Sequence, residues 1–118
     1  MKTIICGGRD YSFSNADFAL MDQLKDSLPI TEIVSGGAKG ADAYGEIWAR
    51  LNCMPVTQFP ANWNLHGKSA GPIRNAQMAA YSDAVVAFPG GTGTADMVRR
   101  AKANGLKVIM ATEAGAKP

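Results

Sequence analysis

Residues 32–42 read EIVSGGAKGAD, where a short apolar run ends in a pair of glycines and leads into a helical pattern. A run of four residues that contains Ile and Val is typical of a strand. Glycines directly after a strand let the backbone turn sharply, which suits the strand–helix–strand units of a parallel sheet. This stretch therefore predicts the local unit from which the fold is built.

The same order of apolar run and helical pattern repeats along the chain. Five runs are predicted as strands: Thr3–Cys6, Glu32–Ser35, Met54–Phe59, Ala84–Phe88 and Lys107–Met110. Four segments between them are predicted as helices: Ser14–Leu28, Lys39–Leu51, Ala70–Tyr81 and Thr92–Asn104. Because alternating strands and helices form right-handed crossovers, we expect a Rossmann-like α/β sandwich of three layers. Its five-stranded, mainly parallel sheet is expected in the order 3-2-1-4-5, with residues 1–111 as one domain and 112–118 as a flexible tail.

Two helices have more detailed patterns. Ser14 is a predicted N-cap for the first helix. In the second helix, the spacing of Tyr44, Ile47, Trp48 and Leu51 predicts that these side chains share a core-facing side.

Composition excludes several classes of protein. The net charge of +2 over 118 residues lacks the dense basic stripe of most nucleic-acid binders. Cys6 and Cys53 are predicted to be buried thiols, and with His66 as the single histidine we expect no metal site. Residues 1–10 do not have a signal-peptide pattern, and no apolar stretch is long enough for a membrane helix. We therefore expect a cytoplasmic protein with no membrane association.

Glycine clusters follow three of the predicted strands, at residues 7–11 (GGRDY), 35–42 (SGGAKGAD) and 89–94 (PGGTGT). In an open parallel sheet, ligands bind beyond the carboxyl ends of the strands, and helix N-termini there attract phosphate. One such cluster alone indicates only a tight turn, whereas three at one sheet edge favour a nucleotide site. No cluster ends in the Gly-Lys-Ser/Thr of a kinase-type phosphate loop, and no Gly-x-Gly-x-x-Gly follows the first strand. The predicted ligand-binding residues are Gly7, Gly8, Arg9, Asp10, Ser35, Gly36, Gly37, Ala38, Lys39, Asp42, Trp63, Arg74, Asn75, Pro89, Gly90, Gly91, Thr92, Gly93 and Thr94.

The polar segment at residues 62–75 leads from the third strand back toward the fourth strand and is expected to lie over the same edge. Trp63 is predicted either to stack on a base or to cover the core. Arg74 lies at the start of a helix, where a cation is unfavourable unless an anion is close, so we expect it to contact a phosphate or ribose. Lys68 and His66 are weaker candidates.

These glycine clusters, together with AGPIRN at residues 70–75, resemble the SLOG superfamily, and most closely its YspA-like (cpYpsA-related) branch. That superfamily groups the LOG nucleotide phosphoribohydrolases with the SLOG domain of DNA-processing protein A. The resemblance implies a Rossmann-like fold that binds nucleotides or their derivatives, often as a homo-oligomer. In LOG enzymes a Pro-Gly-Gly-x-Gly-Thr-x-x-Glu motif supplies a catalytic Glu, and an upstream Arg assists. Here Arg74 falls at the Arg position, Met97 falls at the Glu position, and Asp96 is expected to be an exposed helix residue.

Three functions follow from this pattern. The first is binding of an ADP-ribose-like or signalling nucleotide, as a sensor, carrier or sink with no required cofactor. The second is hydrolysis of a nucleotide's N-glycosidic bond, with Arg74, Asp42 and Asp10 as candidate catalytic residues. Asp42 and Asp10 could also bond ribose hydroxyls, or Asp42 could merely complement the dipole of its helix. The third, a single-stranded nucleic-acid module, is disfavoured by the low charge and few aromatic residues.

Overall fold

A computed structural model describes residues 1–111 of the chain, so the tail expected at residues 112–118 lies outside the described residues. The five strands are β1 (Lys2–Cys6), β2 (Glu32–Ser35), β3 (Val56–Gln58), β4 (Ala84–Ala87) and β5 (Lys107–Met110). The helices are α1 (Asn15–Ser27), α2 (Ala41–Leu51), α3 (Trp63–His66), α4 (Ala70–Tyr81) and α5 (Thr92–Ala103). A 3₁₀ turn, Gly67–Ser69, joins α3 to α4.

All neighbouring strands pair in parallel, in the order β3-β2-β1-β4-β5. This confirms the predicted sheet order, with its reversal between β1 and β4. Successive strand residues point to opposite faces, so Ile5 packs with Met21 and Trp48 of α1 and α2, while Ile4 packs with Met78 and Met97 of α4 and α5. Two helical layers therefore cover the sheet, as the α/β sandwich prediction requires.

The first helix begins as its sequence indicates. The Ser14 side chain accepts a hydrogen bond from the backbone N–H of Asp17, and the Asp17 carboxylate accepts one from the N–H of Ser14. Such a reciprocal capping box satisfies backbone donors that the helix itself leaves free. The N-cap prediction for Ser14 is therefore confirmed.

The second helix differs from its prediction in two ways. It begins at Ala41, because Gly40 has a φ of 76° and a Cβ there would collide with the carbonyl oxygen of Gly8. Its buried face includes Gly45 and Trp48, whereas Ile47 and Leu51 are exposed, contrary to the prediction. Gly45 lets α2 approach Ile5 of β1 so closely that an added Cβ would lie 2.8 Å from that side chain. The close approach sets which side of the helix faces the sheet.

The prediction for the two cysteines is half right. Cys6 is buried at the end of β1, but Cys53 is exposed. Cys53 has a φ of 52° in the turn that follows α2, and this turn carries its side chain to the surface.

Among the helices of residues 1–111, none combines the length and the hydropathy that a membrane crossing requires.

Candidate functional site

The loops after β1, β2 and β4 pack directly against one another. Gly8 is the common partner, since its N–H donates to the carbonyl oxygen of Pro89 at 2.8 Å and its own carbonyl accepts from the N–H of Ala41 at 3.2 Å. A Cβ at Gly7 would lie 2.6 Å from the Cβ of Ala41, and one at Gly90 would lie 2.7 Å from the nitrogen of Gly8. Backbone approach of this kind requires glycine, so the glycine clusters bring the three loops together.

A cavity of about 650 Å³ opens where these loops meet. It extends from the end of β1 to the first turn of α5, and the start of α4 forms another wall. The predicted residues that line it are Gly7, Gly8, Arg9, Ala38, Asp42, Trp63, Arg74, Asn75, Gly91, Thr92, Gly93 and Thr94. The first turn of α5 therefore presents helical N–H groups and a partial positive charge at this cavity.

Arg74 crosses from α4 to the loop after β2. Its Nη1 donates to the carbonyl oxygen of Gly36 at 2.8 Å, and its Nε donates to Oδ1 of Asn75 at 3.0 Å. Within residues 1–111, Nη2 makes no hydrogen bond, and the side chain lines the cavity. A guanidinium fixed in this way can bond an anion that enters the cavity.

Asp42 is a buried carboxyl group near Arg74. Its Oδ2 accepts from the N–H of Ala38 at 3.3 Å. Burial raises the pKa of Asp42 above its ordinary value, while the bond from Ala38 and the charge of Arg74 act in the opposite direction. Burial likewise raises the pKa of the Cys6 thiol, to about 12, so Cys6 is a neutral part of the cavity wall. Asp42 is therefore a carboxyl group of the cavity wall whose proton affinity is increased.

A second hollow of about 510 Å³ adjoins the first. Both are lined by Arg9, Ala38, Trp63 and Arg74, so these residues lie where the two hollows meet. The second hollow also contains the predicted residues Asp10, Gly36, Gly37 and Lys39. Trp63 is 51% exposed at this junction, which favours a surface available for stacking over its alternative role of covering the core.

Three predicted site residues lie outside both hollows. Ser35 is fully buried, and its hydroxyl donates to Glu46 at 2.7 Å and accepts from the N–H of Gly37 at 3.0 Å. Pro89 and Gly90 line an apolar depression on the other side of the start of α5. Ser35 thus supports the shape of its loop, and its hydroxyl is already occupied.

The prediction for Asp96 is wrong. Its side chain is only 17% exposed, lines the main cavity and accepts a hydrogen bond from Nδ2 of Asn75 at 2.9 Å. α4 packs closely against α5, which covers the side of α5 that was expected to face solvent. Met97, at the position of the LOG glutamate, is buried in the core and contributes to the cavity wall.

Other cavity residues were not predicted from sequence. They are Ile5, Cys6, Gly71, Pro72 and Met78. Lys68, which sequence analysis named as a weaker candidate, also lines the cavity. Gly71, Pro72 and Met78 lie on α4, and the extra turns at Trp63–Ser69 that set the start of this helix have no distinct periodicity. Ile5 and Cys6 belong to β1 and were predicted only as strand residues. Within residues 1–111, no group of three or more His, Cys, Asp and Glu side chains could hold a metal ion.

The fold and the convergent loops define a Rossmann-like α/β protein with an open cavity at the switch point of its sheet. The sequence model of the YspA, cpYpsA-related SLOG family matches residues 1–66. The chain is also 40% identical over 99 residues to the Gene 61 protein of Mycobacterium phage D29. The matched region covers 77% of this chain and 79% of that protein. The chain therefore belongs to the YspA, cpYpsA-related SLOG family. No solved structure matches it.

The family match includes the first two glycine clusters, whereas Arg74 and the third cluster follow residue 66. The part of the cavity formed by α4 and α5 thus lies beyond the residues that the family model matches. The contacts of Arg74, Asn75 and Asp96 determine the chemistry of this part.

Proposed function

We propose that the protein binds a phosphorylated nucleotide derivative in the main cavity and acts as a sensor, carrier or sink. The observation that carries the proposal is the convergence of three glycine loops, the N-terminus of α5 and the Arg74 guanidinium on one hollow. Backbone N–H groups and a guanidinium are the groups that bind phosphate oxygens in proteins. Membership of a SLOG family is consistent with a nucleotide-related function.

The adjoining hollow favours a ligand longer than a mononucleotide. A volume of about 650 Å³ is within the usual range for small-molecule sites. The second hollow adds Lys39 to the cations Arg9 and Arg74, with Asp10 as its acidic residue. An ADP-ribose-like ligand would place phosphates beside these cations and a ring on Trp63. We therefore favour this class of ligand over a simple nucleoside monophosphate.

A melting-temperature screen against AMP, ADP, NAD, ADP-ribose and cyclic nucleotides tests the proposal. A ligand at 100 times its dissociation constant stabilises the folded state by about 2.7 kcal/mol, which corresponds to a rise of several degrees. The rise should fall sharply in Arg74→Ala and persist in Arg99→Ala. Arg99 is a matched control, because its side chain is 69% exposed and is absent from the lining of both hollows. No rise with any of these nucleotides in the wild-type protein would refute the proposal.

Hydrolysis of an N-glycosidic bond is the second candidate, favoured by one observation. A carboxyl group with a raised pKa is suited to donate a proton to a departing base, and Asp42 has this property in the cavity wall beside Arg74. Asp10 is exposed in the adjoining hollow, so Asp42 is the better candidate. Incubation with AMP, NAD and ADP-ribose followed by chromatography tests this function. Free base produced by the wild type but not by Asp42→Asn would support it, and no free base would leave binding as the function.

The family resemblance also leads us to propose a homo-oligomer in the cytoplasm. If the protein is a homo-oligomer, light scattering on the purified chain should give a mass at least twice that of the 12.4 kDa monomer. A mass of one chain at micromolar concentration would refute it.

A further inference from the structure

We propose that Asp96 is a positioning residue for the ligand, which acts through Asn75 to hold the Arg74 guanidinium at the cavity wall. The inference rests on the nucleotide-binding function proposed above. It gives Asp96 a role different from that of an acid or base, because its contacts go to Asn75 and to arginines of its own helix.

Arg74 needs to be held, because a free arginine side chain samples many rotamers and loses conformational entropy when it is fixed. Two acceptors fix it here: the carbonyl oxygen of Gly36 and Oδ1 of Asn75. The first belongs to the loop after β2, whereas the second belongs to the neighbouring residue of α4. The position of the guanidinium therefore depends on the orientation of the Asn75 amide.

Asn75 is 95% buried, and the surroundings of its side-chain amide allow one orientation. Its Nδ2 donates to Oδ2 of Asp96 at 2.9 Å and to the carbonyl oxygen of Gly93 at 3.3 Å, so Oδ1 must face Nε of Arg74. A flipped amide would set Nδ2 against the N–H of Arg74 and Oδ1 against the Asp96 carboxylate. Donor would meet donor and acceptor would meet acceptor, which a buried amide cannot tolerate.

This fixed orientation of the Asn75 amide requires Asp96 to be ionised, since a carboxylate accepts hydrogen bonds but cannot donate one. Burial by itself would raise the pKa of Asp96, but hydrogen bonds from Asn75 and Arg100 and the charges of Arg100 and Arg99 lower it overall. Nε of Arg100 lies 2.9 Å from Oδ2 of Asp96. Asp96 is thus an acceptor at neutral pH, and Gly93 provides a weaker second acceptor for the same amide hydrogens.

A double-mutant cycle measured by calorimetry with AMP and ADP-ribose tests this inference. We expect D96A and R74A each to weaken binding about tenfold, and R74A/D96A to bind within about twofold of R74A alone. Such coupling would distinguish positioning from a general loss of stability, which would weaken both backgrounds. R99A removes an exposed ion pair to Asp96 but not the bond to Asn75, so its affinity should match that of the wild type.

An exchange of the two side chains provides a rescue. N75D sets two carboxylates against each other and should weaken binding at least tenfold. In N75D/D96N the amide donates from α5 to a carboxylate on α4 that still accepts from Arg74, so affinity should return to within about threefold of the wild type.

Three results would overturn the role of Asp96 but not the proposed function, provided that the wild type binds. They are unchanged affinity in D96A, additive losses in R74A/D96A, and no recovery of affinity in N75D/D96N. Failure of the wild type to bind either nucleotide would overturn the proposed function, and this role with it.

Discussion

Gly93→Ala should raise the stability of the free protein and lower its affinity for the ligand. Gly93 is the second residue of α5, it lines the main cavity, and its φ is not positive. A Cβ built there meets no atom within 4 Å, so the free protein should accept it without strain. The methyl group would lie in space that a bound phosphate needs in order to approach the backbone of the first turn.

The two effects can be estimated separately. Replacement of glycine by alanine at a compatible helical position stabilises the folded state by about 0.4–1 kcal/mol, because the unfolded chain loses freedom. In a chain of 118 residues this corresponds to a rise in melting temperature of about 2–5 °C. Loss of one hydrogen bond to a charged phosphate costs about 1.5–3 kcal/mol, so affinity should fall at least about tenfold.

Thermal melts without ligand and calorimetric titrations with AMP and ADP-ribose measure both effects. Asp26→Ala is a suitable control, because Asp26 is an exposed acid in the last turn of α1, where its charge opposes the helix dipole. This variant should gain stability and retain full affinity. If Gly93→Ala bound the ligand as tightly as the wild type, the phosphate would not approach the first turn of α5, and the reasoning would be refuted.

Two further predictions concern ionisable groups. Because burial raises the pKa of Asp42 in the folded state, its contribution to stability is complete below the unfolded value and is lost as pH rises through the folded value. The melting temperature of Asp42→Asn should therefore increase relative to wild type as pH rises from about 4 towards neutrality, and a constant difference would contradict this. Ellman's reagent should titrate Cys53 in the native protein and Cys6 only after denaturation, since Cys6 is buried with a pKa of about 12; two thiols that react at once in the native state would argue against this burial.

The sequence was sufficient to predict the sheet, because its strands are short apolar runs separated by helical patterns. β2 and β5 begin and end at the predicted residues, and the strand order agrees. Helix faces were less predictable, since Ile47 and Leu51 continue the apolar spacing of α2 but remain exposed. Glycine provides no hydrophobic side chain, so the spacing of apolar residues could not reveal that Gly45 is the point of contact with the sheet.

The position of the cavity was predictable where backbone geometry determines it. Glycine clusters after strands identified the three loops, and a cation at the start of a helix identified Arg74. Asp96 was missed because comparison with a motif asks only which residue occupies the position of a glutamate. Its actual position depends on how closely α4 packs against α5, and the partner that reveals its role, Asn75, is 21 positions away in sequence.

The contacts between the three loops run from main chain to main chain, through Gly7, Gly8, Gly40 and Gly90. The main-chain shape of these loops is therefore independent of the exposed side chains around the cavity. Substitution of exposed residues that line the two hollows, such as Lys39, Trp63 or Lys68, should leave these main-chain contacts intact. One backbone frame can thus carry different combinations of side chains at the opening of the cavity, because its shape is set by the contacts between the glycines.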